Sequence, residues 1–412
     1  MLRRGVAAAA RAALAAPCAG AVHAGGRRSF TRLPVIDMSP LLEPTDTQDA
    51  AAVSSVVAQL HDACRHVGFF FIVGHGVPAA VTEGVLRDAR AWFAQPVSGR
   101  RGRGGGDCRP PPPREQAWRA LTSPPPPPPR GAQESAKRPL LLSPGTHFRG
   151  WQPLGANVTR HEGGFTRDMH EAIDFYREED PDALQASGRR ASPLHGPNLW
   201  PAHPPGFEAL LRAYFDHCLR VGAALLRGIA SGLGLAPDFF EASGLAPRAS
   251  SYWVARAIFY PPLAPPGGGQ HAAQQAAAAA GGEVGRETQL SCGEHTDYGL
   301  LTLVLQDPGV TALQVKNAAG AWIDAPPLPG SFVVNLGDMF KVLTNGALTP
   351  TLHRVVLRGD SASSRVSLPF FYETRFDAEV APLPALCRGA PPRFGPVRYG
   401  DHLEAKVTSN FA

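Results

Sequence analysis

The sequence predicts a mainly β protein, a sandwich or barrel with flanking helices. The first observation is a series of short apolar runs after residue 298, separated by turn residues such as glycine, proline and asparagine. Runs of this length and spacing are typical of strands in sandwiches and barrels. The second observation is helical periodicity over 207–233, which ends at Gly232 and Gly234. The predicted strands are 299–306, 311–316, 321–324, 331–336, 350–358 and 364–373.

The part of the chain before residue 96 alternates strands and helices. Residues 33–37 (LPVID) predict a short strand, and apolar side chains at helical spacing predict a helix over 47–66. An apolar run over 68–73 predicts a buried strand, and 81–93 returns to helical spacing. His75 follows the buried strand between two glycines, and we interpret it as a structural histidine that holds a turn.

Composition divides the chain into segments. Residues 97–142 are rich in proline, glycine and arginine and predict coil or polyproline conformation, because such a segment cannot pack. The predicted order is a targeting or disordered segment 1–32, an N-terminal region 33–96, the insert 97–142, a helical support region 143–249, a β domain 250–380 with a loop insert 264–288, and a C-terminal segment 381–412.

Charge is concentrated in two places. Residues 1–36 hold six arginines and no acid, a pattern typical of organellar transit peptides. We therefore expect a mitochondrial or plastid location if this segment is a transit peptide, and a cytoplasmic one if it is only a disordered tail. The second basic block is the insert 97–142, so the rest of the chain is mildly acidic and does not indicate a nucleic-acid partner.

The cysteines and the hydropathy pattern exclude two further classes of protein. The six cysteines are scattered without a Cys-x-x-Cys pair, which argues against a zinc ribbon and against a disulfide framework. No run of about 18 apolar residues predicts a membrane span. We expect a small-molecule partner, no membrane or nucleic-acid partner, and by default a monomer.

His295 and Asp297 lie two positions apart where a loop leads into an apolar run. Alternate residues of an extended chain point to the same side, so both side chains can converge on one point. His353 lies in a second predicted strand that a sandwich can bring close. Two histidines and one carboxylate with open positions are typical of non-haem Fe(II) oxygenases, whereas structural zinc prefers four closed ligands. We interpret the nearby Cys292 as a packing residue.

Arg365 and Ser367 share one face of a later predicted strand. A guanidinium and a hydroxyl together suit a carboxylate ligand. Taken alone, Arg365 would more simply form a salt bridge, and it is the upstream His-Asp-His set that favours a binding role. The phenol of Tyr260 can donate to the same carboxylate.

These motifs, in this order, resemble the 2-oxoglutarate/Fe(II)-dependent dioxygenases of the isopenicillin N synthase-like superfamily, plant and fungal type. The motifs are LPVID at 33–37, CRHVGFF at 64–70, GHGV at 74–77, HTD at 295–297, NLGD at 335–338, LHR at 352–354 and RVS at 365–367. The chain departs from the family at 258–262, where IFYPP replaces the usual NYYPP. The insert 97–142 and the loop 264–288 are longer than the family's connections.

The resemblance implies a double-stranded β-helix, or jelly-roll, core with supporting helices. It assigns His295, Asp297 and His353 to Fe(II), and Arg365, Ser367 and Tyr260 to 2-oxoglutarate. With O₂, such an enzyme converts 2-oxoglutarate to succinate and CO₂ while it oxidises, most often hydroxylates, a small organic metabolite. Ascorbate is expected to help in vitro. Phe259, Phe370 and Phe371 are the predicted walls of the substrate pocket.

Two alternatives to this function stay open on sequence alone. An Fe(II) oxidase of the isopenicillin N synthase type works without 2-oxoglutarate and shares the Arg-x-Ser pair. A non-catalytic binding protein could use the same fold. The substrate itself is beyond sequence reasoning, because pocket residues vary on loops.

Overall fold

The computed structural model describes residues 29–43, 47–95, 137–161, 164–262, 288–358 and 363–411. The strands are β1 Val35–Asp37, β2 Phe69–Val73, β3 Gly150–Gln152, β4 Val158–His161, β5 Gly164–Arg167, β6 Glu171–Tyr176, β7 Trp253–Tyr260, β8 Thr288–His295, β9 Leu301–Gln306, β10 Leu313–Lys316, β11 Trp322–Asp324, β12 Phe332–Leu336, β13 His353–Arg358, β14 Arg365–Tyr372, β15 Glu379–Val380 and β16 Val397–Arg398. The α-helices are α1 Ser39–Leu42, α2 Ala50–His66, α3 Ala79–Phe93, α4 Pro181–Ala186, α5 Phe207–Gly232, α6 Phe239–Ala242, α7 Asp338–Leu343, α8 Pro384–Cys387 and α9 Tyr399–Phe411.

Two sheets form the body of the molecule. The large sheet has eight strands in the order β1-β2-β12-β9-β14-β7-β6-β3, and the small sheet has four in the order β11-β10-β13-β8. Apolar clusters lie between them: one joins β2 and β12 of the large sheet to β10, and another joins β6 and β7 to β13. The two facing sheets form a double-stranded β-helix, which confirms the predicted jelly-roll core.

The helices cover the outer face of the large sheet. The long helix α5 buries one side against this sheet and against α2 and α3, in the main hydrophobic core. Alternation along β14 separates its two faces, because Val366, Leu368 and Phe370 belong to this outer core. Arg365 and Ser367 therefore face the space between the two sheets, where the small sheet lies opposite.

The predicted elements largely match the observed ones. All six strands predicted after residue 298 are present within one to three residues of their expected ends, and the helix predicted over 207–233 spans Phe207–Gly232. The region 143–249, predicted as helical support, differs because it also contributes β3, β4, β5 and β6. Of these, β3 and β6 extend the large sheet beyond β7, so the sheet begins well before residue 250.

His75 occupies the turn after β2, as predicted. Its Nδ1 accepts a hydrogen bond from the amide of Val77 at 3.1 Å, and its Nε2 lies 3.1 Å from the carbonyl of Gly330, to which it donates. Burial lowers the pKa of His75 to about 4, so the ring is neutral at physiological pH. This histidine connects the turn to the loop before β12 and is structural.

Three predicted features fall outside the described residues. They are the transit peptide within 1–28, most of the basic insert and nearly all of the loop 264–288. Within the described ranges, no helix has the length and apolar character that a membrane crossing requires.

Candidate active site

His295, Asp297 and His353 converge at one end of the space between the two sheets. The two histidines are directly opposed in register on β8 and β13, with ring centroids 4.2 Å apart. The Nε2 atoms of His295 and His353 lie 3.6 and 3.7 Å from the same Asp297 oxygen, Oδ1. One ligand atom from each residue falls within 4.8 Å of the other two, so the three can bind one metal ion.

Backbone carbonyls orient both imidazoles. The Nδ1 atom of His295 lies 2.8 Å from the carbonyl oxygen of Gly293, and that of His353 lies 3.2 Å from the carbonyl oxygen of Thr351. Each Nδ1–H donates to its carbonyl, which leaves the Nε2 lone pair free to bind a metal. The chain thus sets the tautomer that an Nε2 ligand requires.

The carboxylate of Asp297 is held by its other oxygen. Thr302 on β9 donates to Oδ2 at 2.5 Å, and the side-chain amide of Asn335 on β12 donates to it at 2.7 Å. Burial would raise the pKa of Asp297, but the charges of His353 and His295 and these two hydrogen bonds lower it. The residue is therefore an ionised carboxylate with Oδ1 directed at the histidines.

Removing these two donors should weaken metal binding without removing a ligand. For Thr302→Val and Asn335→Leu, we expect Fe(II) affinity to fall by about 10- to 100-fold, since Asp297 loses the bonds that fix its rotamer. Anaerobic Fe(II) titration measures this. Thr344→Val is the matched control, because it removes a buried hydroxyl that bonds the carbonyl of Phe340 in α7. Equal losses in the control and in Thr302→Val would contradict an effect through Asp297.

Arg365 lies fully inside the fold beside Tyr260 and Ser367. It is directly opposed to Tyr260 in register, with its guanidinium carbon 4.9 Å from the phenol ring centroid. Ser367 lies two residues along on the same face, and all three are at most 2 % exposed. Burial raises the pKa of Tyr260, while the charge of Arg365 acts in the opposite direction.

The Arg365 guanidinium is only partly satisfied. Its Nη2 donates to the side-chain oxygen of Gln306 at 3.2 Å, while its Nε and Nη1 are buried and have no partner among the described residues. A buried cation without an anion is costly, so this position is built for an anionic ligand. The pocket thus fits a carboxylate-bearing cosubstrate.

The structure separates the three predicted pocket phenylalanines. Phe370 stacks on Trp253 and belongs to the outer core, and Phe259 stacks on Phe93 of α3. Strand alternation puts Phe370 on the face opposite Arg365, so we do not retain it or Phe259 as pocket walls. Phe371 shares the face of Arg365 and is directly opposed to Thr302 in register. It stays a candidate.

Sequence reasoning gave no role to Thr302, Asn335 or Gln306. A signal existed for Asn335, because it is the one polar residue in the buried strand FVVNL. Thr302 and Gln306 likewise interrupt the apolar run of β9. A polar side chain within a fully buried strand needs a partner, so these positions indicate a polar interior.

Glu373, next to β14, is buried at 3 % exposure and accepts a hydrogen bond from the amide of Leu300 at 3.2 Å. Burial raises its pKa from 4.5 to about 8. The folded protein therefore keeps a proton that the unfolded chain releases. As a result, the contribution of Glu373 to the free energy of unfolding falls as pH rises through this interval.

Glu373→Gln should remove this pH-dependent loss, since glutamine keeps the acceptor oxygen and cannot ionise. We expect the variant to exceed the wild type in free energy of unfolding by about 1–3 kcal/mol at pH 8 and to match it near pH 4.5. Urea unfolding at both pH values measures the difference. An advantage of equal size at both pH values would contradict the assignment to ionisation.

Comparison with known proteins adds independent findings. Residues 274–374 match the 2OG-Fe(II) oxygenase superfamily, and residues 33–102 match a family described as non-haem dioxygenase in morphine synthesis N-terminal. A homoarginine-6-hydroxylase of Glycine max is 37% identical over 388 residues, which cover 93% of this chain and 98% of that protein.

Two solved structures share the fold. The full-length Neurospora crassa enzyme in complex with alpha-KG and 5-formyluracil superposes with a TM-score of 0.66 at 21% identity, covering 92% of this chain and 96% of that chain. An enzyme named JOX2, in complex with 2OG, Fe and JA, has a TM-score of 0.62 at 22% identity, covering 99% of this chain and 97% of that chain. At these identities the likeness establishes the jelly-roll architecture.

Proposed function

We propose, from the premise that this chain belongs to the 2-oxoglutarate/Fe(II)-dependent oxygenase superfamily, that it hydroxylates the side chain of a guanidino amino acid of the homoarginine type. Membership makes the protein an oxidoreductase, a hydroxylating dioxygenase that acts on a small organic molecule with Fe(II) as cofactor and 2-oxoglutarate as cosubstrate. The substrate class and the roles of individual residues are the parts that we propose.

We assign the iron to His295, Asp297 and His353. The convergence of two Nε2 atoms on one carboxylate oxygen supports this, because the arrangement supplies three protein ligands on one side and leaves the other side open. We assign the remote carboxylate of 2-oxoglutarate to Arg365, Ser367 and Tyr260. The buried, unpartnered Nε and Nη1 of Arg365 support this assignment.

Iron, when bound, supplies the chemistry that couples the oxidation of 2-oxoglutarate by O₂ to the oxidation of a substrate C–H bond. The chain's own residues orient and enclose the reactants. Thr302 and Asn335 fix the Asp297 carboxylate, and the backbone carbonyls fix the two imidazoles. Arg365 anchors the cosubstrate in a buried site, where a charge-assisted bond is stronger than in water.

The substrate proposal depends on one observation, the identity of 37% over 388 residues to a homoarginine-6-hydroxylase, nearly the full length of both proteins. A second homoarginine-6-hydroxylase, from Arabidopsis thaliana, is also 37% identical over 393 residues. Similarity over the whole length includes the strands and loops around the metal site, and not only the iron motif.

The test incubates the purified protein with Fe(II), 2-oxoglutarate, ascorbate and L-homoarginine under air. We expect succinate and a product heavier by one oxygen atom, in equal amounts. Oxygen uptake with substrate but without 2-oxoglutarate would indicate the oxidase alternative, and no turnover of any kind would favour a non-catalytic protein. Succinate formation that L-homoarginine, L-arginine and L-lysine all fail to stimulate would refute the substrate proposal.

A further inference from the structure

Three polar side chains lie side by side on the inner face of the large sheet, at its β3–β6–β7 edge. They are Gln152, Asp174 and Arg256, which we call the interior polar cluster. Asp174 is directly opposed to Arg256 in register, and Gln152 on β3 is opposed to Ala172, two residues from Asp174 on the same face of β6. Ala172 packs in the apolar cluster between the sheets, so this face is the inner one.

The cluster is bonded internally but incompletely. Arg256 donates from Nε to Asp174 Oδ1 at 2.7 Å, and Gln152 donates from its amide nitrogen to Asp174 Oδ2 at 2.5 Å. Two atoms remain buried without a partner among the described residues, Nη2 of Arg256 and Oε1 of Gln152. Gln152 is 3 % exposed, so its oxygen cannot compensate by binding bulk water.

The cluster adjoins the metal site. The buried ring of His170 lies between them: burial lowers its pKa to about 3, and the nearby charges of Arg256 and His295 both lower it further. Along β7, Arg256 is two residues from Val254, which is paired through Phe371 with Thr302, the residue that bonds Asp297. Two residues of a strand span about 7 Å. A short chain held at the cluster can therefore reach the metal.

The two unpartnered atoms have opposite chemical character. Arg256 offers an unpaired cationic donor, which suits a carboxylate, and Gln152 offers an unpaired acceptor beside the anionic Asp174, which suits an ammonium group. A structural ion pair would satisfy both atoms within the fold, because leaving buried polar atoms unpaired destabilises the protein. A zwitterion with both groups on one carbon complements both atoms at once.

We propose that the interior polar cluster binds the α-carboxylate and α-ammonium groups of an amino-acid substrate, Arg256 taking the carboxylate and Gln152 with Asp174 taking the ammonium. This deepens the proposed function, on which it rests, by assigning a recognition site for the amino-acid end. The side chain of the substrate then extends from the cluster toward the iron.

The first test changes the ligand and leaves the protein intact. The anaerobic Fe(II)- and 2-oxoglutarate-loaded enzyme is titrated calorimetrically with L-homoarginine, with 6-guanidinohexanoic acid, which lacks the α-amine, and with (5-aminopentyl)guanidine, which lacks the α-carboxylate. Each truncated compound should bind about 10- to 100-fold more weakly than L-homoarginine, because one charged hydrogen-bonding group is lost. Equal affinity for all three would overturn the proposal.

The second test pairs each variant with the ligand that lacks its partner. Arg256→Ala should weaken L-homoarginine and the acid by about 10- to 100-fold and the amine by less than about threefold, whereas Gln152→Leu should show the reverse preference. Since Arg256→Ala strips Asp174 of its cation, Arg256→Ala/Asp174→Asn provides a second background, and Arg256→Lys should restore part of the carboxylate preference. Equal weakening of all three ligands by every variant would overturn the proposal.

Controls separate recognition from general damage. Affinity for 2-oxoglutarate should stay unchanged in the Arg256 and Gln152 variants. Arg358→Ala is the matched control, since this arginine also pairs with an aspartate, Asp324, and lies at the end of β13 remote from His353. It should leave L-homoarginine binding at the wild-type value. Equal weakening by Arg358→Ala and by Arg256→Ala would overturn the proposal.

The outcomes distinguish this inference from the proposed function. If the loaded enzyme ignores L-homoarginine but binds another α-amino acid from a panel, the substrate proposal fails. The cluster is then tested with the analogues of that amino acid. If no α-amino acid binds while another class of compound stimulates succinate formation, the inference is overturned.

Discussion

Asp297→Ala is expected to reduce succinate formation by more than about 1,000-fold, as is usual when a group that acts as part of a unit is removed. The variant removes the oxygen that both Nε2 atoms face, and it leaves Thr302 and Asn335 without their acceptor. Two imidazoles alone make a weak iron site. Anaerobic Fe(II) titration and single-turnover succinate assays, with saturating 2-oxoglutarate, measure the binding loss and the rate loss separately.

The matched control for this prediction is Asp324→Ala. Asp324 is also paired with basic and amide side chains, but it lies on β11, away from the triad. We expect it to retain iron binding and turnover. Wild-type succinate production by Asp297→Ala would refute the proposed iron site, and a loss of the same size in Asp324→Ala would indicate general unfolding instead.

The iron triad was accessible to sequence reasoning because strand geometry is local. His295 and Asp297 follow from a spacing of two, and Arg365 and Ser367 follow from the same period. The pairing of His353 with His295 is not local, since 57 positions separate them, and the structure supplies it through the β8–β13 register. A motif in the right order can indicate such a pairing, but hydrogen bonding between the strands creates it.

The edge of the large sheet could not be predicted in the same way. Strands β3 and β6 lie within a segment of many prolines, glycines and charged residues, and β3 has three residues. So short a run carries almost no periodic signal. Its strand character comes from its partner, because β3 forms hydrogen bonds only where β6 is already paired with β7. The region was consequently assigned to helical support.

Side-chain direction set a further limit. Phe370 and Phe371 are adjacent, and a shift of one residue exchanges the inner and the outer face of a strand. Residue type alone favours neither of the two as a pocket wall. Arg256 and Gln152 illustrate the same limit, since their unpartnered atoms emerge only when residues 104 positions apart are placed on neighbouring strands. The sequence contains the residues, but tertiary structure determines which of them remain unsatisfied.

Arg365→Ala is expected to raise the concentration of 2-oxoglutarate needed for half-maximal rate by about 100-fold or more, while iron affinity changes little. The reason is that the guanidinium is the buried cation of this site, with Nε and Nη1 unpaired until an anion binds. The triad lies at the other end of the inner face, beside Thr302, and keeps all its hydrogen bonds. Succinate assays over a range of 2-oxoglutarate concentrations measure the shift.

Arg365→Lys separates charge from geometry. Lysine restores the positive charge but cannot reproduce the planar fork of a guanidinium, so we expect it to recover part of the affinity and not all of it. Tyr260→Phe should have a smaller effect, since it removes one neutral donor and leaves the cation. If Arg365→Ala loses iron while its requirement for 2-oxoglutarate stays unchanged, the guanidinium supports the metal site, and its assignment to the cosubstrate is wrong.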